Sequence, residues 1–302
     1  MDEKELENYL KAGKILQKVL DFARKSVKPG QKLLEIAENA EKQIIDLGGK
    51  PAFPVNLSIG NNAAHFTPSA EEEGVVSEED VLKFDAGVHV NGYIADAAFT
   101  LDFSGKHQKM LDASRKALET AIEKVKVGAR IGSIGEEIEK TIHSYGFNPI
   151  QNLCGHSLGK FDVHASPEMP NIAKKDSRVL EEGTAFAIEP FATDGEGYVR
   201  EAMQSEIFSL EEPKPVRNPA ARKILNFVSE KYETLPFAGR WIAKELKVSE
   251  FQRKIAMREL LQQKCIHSYP VLHEASGRLV TQAETTILLS GKDVIVLVKH
   301  EY

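Results

Sequence analysis

The 302-residue chain is predicted to be an α+β protein made of two related halves, each a helix pair with antiparallel strands, plus a helical subdomain inserted late in the sequence. Three observations predict this. Shifting the sequence by 98 aligns residues 27–51 with residues 125–149, and ten of the 25 positions are identical. The pair Asn91-Gly92 stands between two alternating apolar runs, the strongest short-range signal for a two-residue hairpin loop. From about Glu211 to Ser268 the texture changes to a proline-rich link and three helical periods without counterpart elsewhere.

In chain order, YLKAGKILQKVLDFARKSV and KLLEIAENAEKQIIDLG read as two amphipathic helices separated by Lys28-Pro29-Gly30. A similar pair returns between about residues 107 and 146. The shared positions include Gly30 with Gly128, Glu41-Lys42 with Glu139-Lys140, Gly48 with Gly146, and Pro51 with Pro149. Amphipathic helices can mimic each other through composition, but shared helix breaks are harder to reach by chance. The echo runs further: His65-Phe66-Thr67-Pro68 matches His164-Ala165-Ser166-Pro167 at an offset of 99, and EEDVLKFDAG has a looser counterpart in EEGTAFAIEP. Each half would then deliver one histidine and at least one carboxylate to a shared central cleft.

Within VLKFDAGVHVNGYIADAAFT a two-residue loop pairs Val90 with Tyr93, sets Asp85 opposite Ala98 and sets Asp96 opposite Gly87. The two carboxylates become diagonal neighbours on one sheet face; a three-residue loop would put them on opposite faces. Facing carboxylates in a half-apolar setting repel and lose hydration, so a pair that stays charged needs a cation beside it. The alternative is an ordinary surface hairpin, against which the flanking apolar residues weigh. At the end of the chain, RLVTQAETTILLSGKDVIVLVKHEY reads as a second hairpin around Ser290-Gly291-Lys292, with Glu284 in its first strand.

Composition narrows the chemistry. The chain is 42% hydrophobic and 28% charged with a net charge of -6, and no Lys/Arg block stands out, which argues against nucleic acid as a partner. No run of 18 apolar residues and no secretory leader pattern occurs, so no membrane association and a cytoplasmic location are expected. Cys154 and Cys265 lie 111 residues apart, which excludes a disulfide framework or zinc-ribbon spacing. A metal here must be held by oxygen and imidazole. Besides the aspartates, the candidates are His156 in CGHSLGKFDVH, Glu189 at the end of the run TAFAI, and Glu284 in VTQAETTILL. Glu206, in a similar Gln-x-Glu setting, competes with Glu284, although the TTILLS run favours the latter. One imidazole with four carboxylates is a hard set suited to pairs of Mn, Fe(II), Co or Zn ions, and two ions sharing a carboxylate can activate a water for hydrolysis.

These residues carry a resemblance. GNNAAHFTP around His65, KFDAGVHVNGYIADAAFT, GHSLGKFDVHASP, AIEPFATDGEG, TLPFAGRWI and TQAETTILL, in this order, make the chain resemble the type II methionine aminopeptidases over nearly its full length. The resemblance implies the pita-bread fold, with a catalytic domain at residues 1–210 and 269–302 and an inserted helical subdomain at 211–268. It also implies two divalent ions: Asp85 on one, Asp96 and Glu284 bridging both, and His156 and Glu189 on the second. A hydroxide between the ions would attack the first peptide bond of newly made polypeptides, Glu189 would carry the proton, and His65 and His164 would contact substrate and stabilise the oxyanion. Phe53, Val163 and Tyr269 match positions lining the methionine pocket, with plain core packing as the alternative reading.

Two departures stand out. The family usually places an aromatic residue and a histidine around the last glutamate, where this chain has Ala283 and Thr285. The polybasic N-terminal extension of the eukaryotic enzymes does not appear, so the chain is similar to the short archaeal form, expected to be a monomer, and ribosome docking through a basic tail is not supported. An aminopeptidase P or prolidase has a similar ligand set but usually a further N-terminal domain, for which a first helix beginning by about residue 6 leaves no room. A catalytically inactive pita-bread binding protein would have lost ligands that this chain keeps.

Overall fold

The computed structural model describes residues 1–299; residues 300–302, the end of the last expected strand run, lie outside the described residues. Helices α1 (Glu3–Ser26) and α2 (Leu33–Asp46) form the first pair, and α3 (Gln108–Lys124) and α4 (Ile131–Ser144) the second. The duplication read from the sequence is repeated in backbone detail. Val27 and Val125 cap α1 and α3 with the same dihedrals, φ -72° and ψ 124°. Gly30 and Gly128 follow with φ of 89° and 82°, the left-handed region that glycine enters without a Cβ clash. Lys32 bridges to Val75 in one half as Arg130 bridges to Val179 in the other.

A nine-stranded antiparallel sheet joins the halves. The hairpin Val81–Val90 and Tyr93–Asp102 lies on one side, and Ala185–Ile188, Cys154–Gly159 and Asp162–Pro170 on the other; between them runs the C-terminal strand Glu284–Ser290. That strand pairs Glu284 with Ala98 of the first half and Thr285 with Ile188 of the second. This is the pita-bread architecture that the resemblance implied.

Strand alternation sorts the faces. Leu82, Phe84, Ala86 and Val88 pack with Ala95, Ala97 and Phe99 under α1 and α2, and Phe186, Ile188 and Ile287 pack under α3 and α4. Lys83, Asp85, Asp96 and Glu284 therefore project to the opposite, concave face. Part of that face is filled by an apolar cluster that includes Tyr9, Phe53, Ile94, Leu158, Val163 and Leu288.

Residues after Leu210 leave through the strand Ile207–Leu210 and return through Ile266–Tyr269, its antiparallel neighbour. Between them stand α5 (Pro219–Lys231), α6 (Gly239–Glu245) and α7 (Glu250–Gln262) around their own core of Ile224, Val228, Phe237, Ile242 and Leu260. One feature was not expected from the helical periods: Phe237–Ala238 is a short strand that pairs with Ile207–Phe208.

Candidate metal centre

The Asn91-Gly92 loop has two residues, with Val90 against Tyr93, Asp85 against Ala98 and Gly87 against Asp96, as parity required. Asn91 and Gly92 have φ of 53° and 90°, the pair of positive values that a type I′ turn demands. Glu189 follows directly on the strand Ala185–Ile188 and is freed from the ladder by Pro190. His156 lies in Cys154–Gly159, and Glu284 opens the central strand. One cleft is lined by Phe53, His65, Asp85, Asp96, His156, Val163, His164, Glu189, Tyr269 and Glu284, so every site residue expected from the sequence meets there. Glu206 does not line it. Its carboxylate sits instead near Gly239 and the Arg253 charge.

Ligand atoms of Asp96, His156 and Glu284 all lie within 4.8 Å of one another. His156 Nε2 is 3.8 Å from Asp96 Oδ2 and 4.0 Å from Glu189 Oε1. Among the described residues no lysine or arginine lines the cleft. Burial raises the Asp85 carboxyl to about 7. Burial and then the neighbouring negative charges hold Asp96 and Glu284 well above the usual carboxylate range, and burial with the Asp85 charge does the same to Glu189. Burial, reinforced by His164, lowers His156 to about 3 and His65 to about 4, so both imidazoles are neutral; His164 is lowered by burial too. Asp85 Oδ1 and Asp96 Oδ1 are buried with no hydrogen-bond partner. Oxygens left bare in this way are the counterpart of a cation, and the donor set of carboxylates with one neutral imidazole fits hard or borderline divalent ions.

His65 and His164 stand beside this cluster. The rings of His156 and His164 are 4.7 Å apart, edge to face, and Tyr269 lies 5.7 Å from His65 and 5.8 Å from His164. Phe53 and Val163, 7% and 6% exposed, belong both to the apolar cluster and to the cleft wall, so core packing and pocket lining coincide.

Sequence reasoning missed Asn56, Ile207 and Gln282. Asn56 pairs with Asp85 across the sheet and, like Ile207, lines the cleft; only strand register reveals it. Gln282 Nε2 donates to Glu284 Oε2 at 3.2 Å and Glu189 Oε2 at 3.4 Å. Its own backbone is held by Thr100, whose Oγ1 accepts from Gln282 N and donates to its carbonyl. The alternation in Gln282-Ala283-Glu284 was the available signal: residues two apart on a strand share a face. Ala283 and Thr285, the departures from the family pattern, face the other way, Ala283 into the core under α3 and α4 and Thr285 donating to the Val298 carbonyl.

A buried acid–imidazole cluster on a pita-bread sheet defines a hydrolase that uses divalent metal, and the chain belongs to the metallopeptidase family M24, whose model matches residues 7–207. Within that family it resembles methionine aminopeptidases from end to end. It is 44% identical to the methionine aminopeptidase of Archaeoglobus fulgidus over 99% of this chain and 100% of that one. The fold is shared with a thermophilic Arx1 (TM-score 0.88, 18% identity, 100% of this chain and 92% of that chain). It is shared also with the methionine aminopeptidase from Thermotoga maritima (TM-score 0.71, 23% identity, 99% and 98%). No helix among the described residues is long and apolar enough to cross a membrane.

Proposed function

We propose that the protein removes the N-terminal methionine from newly made polypeptides, preferring a small second residue, with two divalent ions held in the cleft. The observation that carries this reading is the set of four carboxylates, Asp96 and Glu284 buried and Asp85 and Glu189 half-buried, with one neutral imidazole, unrelieved by any cationic side chain among the described residues of the cleft wall and set beside an apolar slot. Asp85 would hold one ion, Asp96 and Glu284 both, and His156 and Glu189 the second. The ions, whether Co, Mn, Fe(II) or Zn, supply acidification of a water and polarisation of the scissile carbonyl.

The chain's own groups do the rest. Glu189, at a strand end and steadied by Gln282, accepts the water's proton and passes it to the leaving amine. His65 Nδ1 lies 3.3 Å from the Pro270 carbonyl; a proton placed there leaves Nε2 free to accept an N–H from the substrate. His164, also held neutral, donates to the developing oxyanion. Phe53, Val163 and Tyr269, joined by Ile207, present apolar walls of the kind that suit a thioether side chain. This reading treats residues 211–268 as a helical subdomain inserted into a catalytic domain of residues 1–210 and 269–302. It places a monomer in the cytoplasm, meeting its substrates near the ribosome.

The test is release of methionine from Met-Ala-Ser set against Xaa-Pro peptides, with and without added divalent ions. Metal-dependent release from Met-Ala-Ser is expected. Cleavage of Xaa-Pro alone would mean a prolidase-like enzyme, and no cleavage with any ion would mean a binding protein.

A further inference from the structure

A buried polar cluster outside the cleft ties the inserted helices to the first half. Glu41 on α2 and Arg240 on α6 are 6% and 4% exposed. Glu41 accepts from Arg240 Nη2, from Trp241 Nε1 at 2.8 Å and from the Val55 amide at 3.1 Å. The other arm of the same guanidinium, Nη1, donates to Thr67 Oγ1 at 2.6 Å and to the Pro68 carbonyl at 2.9 Å. Thr67 donates onward to the Val55 carbonyl at 2.7 Å. A buried ion pair is weak evidence for stability, because desolvation offsets most of the attraction. What the second arm grips is more telling. Thr67 and Pro68 are the second and third residues after His65, which has φ +65°, a left-handed conformation costly for a residue with a Cβ. Such a backbone persists only where its surroundings over-determine it. Here the surroundings are the Pro270 carbonyl at the ring, the Leu57 amide donating to the Phe66 carbonyl at 2.7 Å, and Arg240 beyond. Among the described residues the second half shows no matching clamp: Glu139, the repeat counterpart of Glu41, accepts from the exposed Ala173 amide and lies near His143.

We propose that Arg240 is a positioning residue, through which the inserted helices hold the His65 segment so that its imidazole stays in the cleft. The proposal rests on the reading of His65 as a group that contacts substrate. A lysine keeps the charge opposite Glu41 but not the planar fork that reaches three acceptors at once. Thr67→Val, close in shape, removes one of those acceptors and leaves the ion pair intact.

The experiment is a double-mutant cycle with the metal-loaded enzyme: Arg240→Lys and Thr67→Val, each in the parent and in His65→Ala, with metal content and Tm recorded for all. In parallel, the His65 imidazole resonances are followed in histidine-labelled protein, assigned by their loss in His65→Ala. We expect kcat to fall about ten-fold or more in the parent background with metal content unchanged, since small misplacements of a reacting group are costly. The loss should shrink to less than about two-fold once His65 is gone. The His65 resonances should shift or broaden in both variants. Equal losses in the two backgrounds, or His65 resonances that do not move, would overturn the proposal. If His65→Ala itself turns over like the parent, the reading of His65 fails, while the resonances still decide whether Arg240 positions it.

Discussion

At single residues the cleft is governed by who shares charge with whom. Asp96 is 2% exposed, its Oδ1 has no partner, and Asp85, Glu189 and Glu284 all bear on it. Asp96→Ala should therefore abolish both turnover and metal retention, read by metal analysis after dialysis; a fully active variant would refute the assignment. His164 lies beside the proposed ligand set rather than in it, so His164→Ala should keep its metal and lose about 10²–10³ in kcat. Glu206→Gln, outside the cleft, should change activity by less than about two-fold. Gln282 acts one step back, its amide steadying two carboxylates. Gln282→Leu should weaken metal affinity by about 10–100-fold, measured by competition with a chelator, as loss of an outer partner generally does.

At the scale of elements, what the sequence revealed was what short-range chemistry determines. Asn91-Gly92 set loop length, loop length set parity, and parity put Asp85 and Asp96 on one face. Gly92 has φ +90°, and a Cβ there would come within 2.5 Å of the Phe161 ring. Gly92→Ala should cost about 1–3 kcal/mol in denaturant unfolding, with the loss felt as weakened metal binding through the hairpin. The helix pairs were legible for the same reason, since Gly30 and Gly128 mark breaks that composition alone does not produce. Long-range pairing was hidden. Nothing local says that Glu284–Ser290 would run between the two halves, that Asn56 would pair with Asp85, or that Phe237–Ala238 would add a strand to Ile207–Leu210. Arg240 lies in the segment TLPFAGRWI, but its partners Glu41 and Thr67 are 199 and 173 residues away.

At the scale of the whole molecule, the sheet gathers four acids, two buried and two half-buried, from both halves and the C-terminal strand into one place, and metal must then couple to stability and pH. Take first the protein stripped of metal. Asp85 has a folded pKa of about 7, above the roughly 4 of an unfolded aspartate, and Asp96, Glu189 and Glu284 are raised as well. A raised carboxyl means that the folded state holds a proton the unfolded chain has released. Its stabilising contribution is complete below pH 4 and is lost as pH rises through about 7. The metal-free protein should thus lose stability between about pH 4 and 7. Metal binding works in the opposite sense, because the ions displace those protons and bind more tightly as pH rises. The gap in Tm between metal-loaded and chelator-treated protein should therefore widen by several degrees from pH 5.5 to 7.5. Asp85→Asn, which removes one of the titrating carboxyls together with one proposed ligand, should show a smaller change in that gap. Thermal scans of both proteins across that range would measure it, and a gap independent of pH would mean that the carboxylates are ionised without their metal.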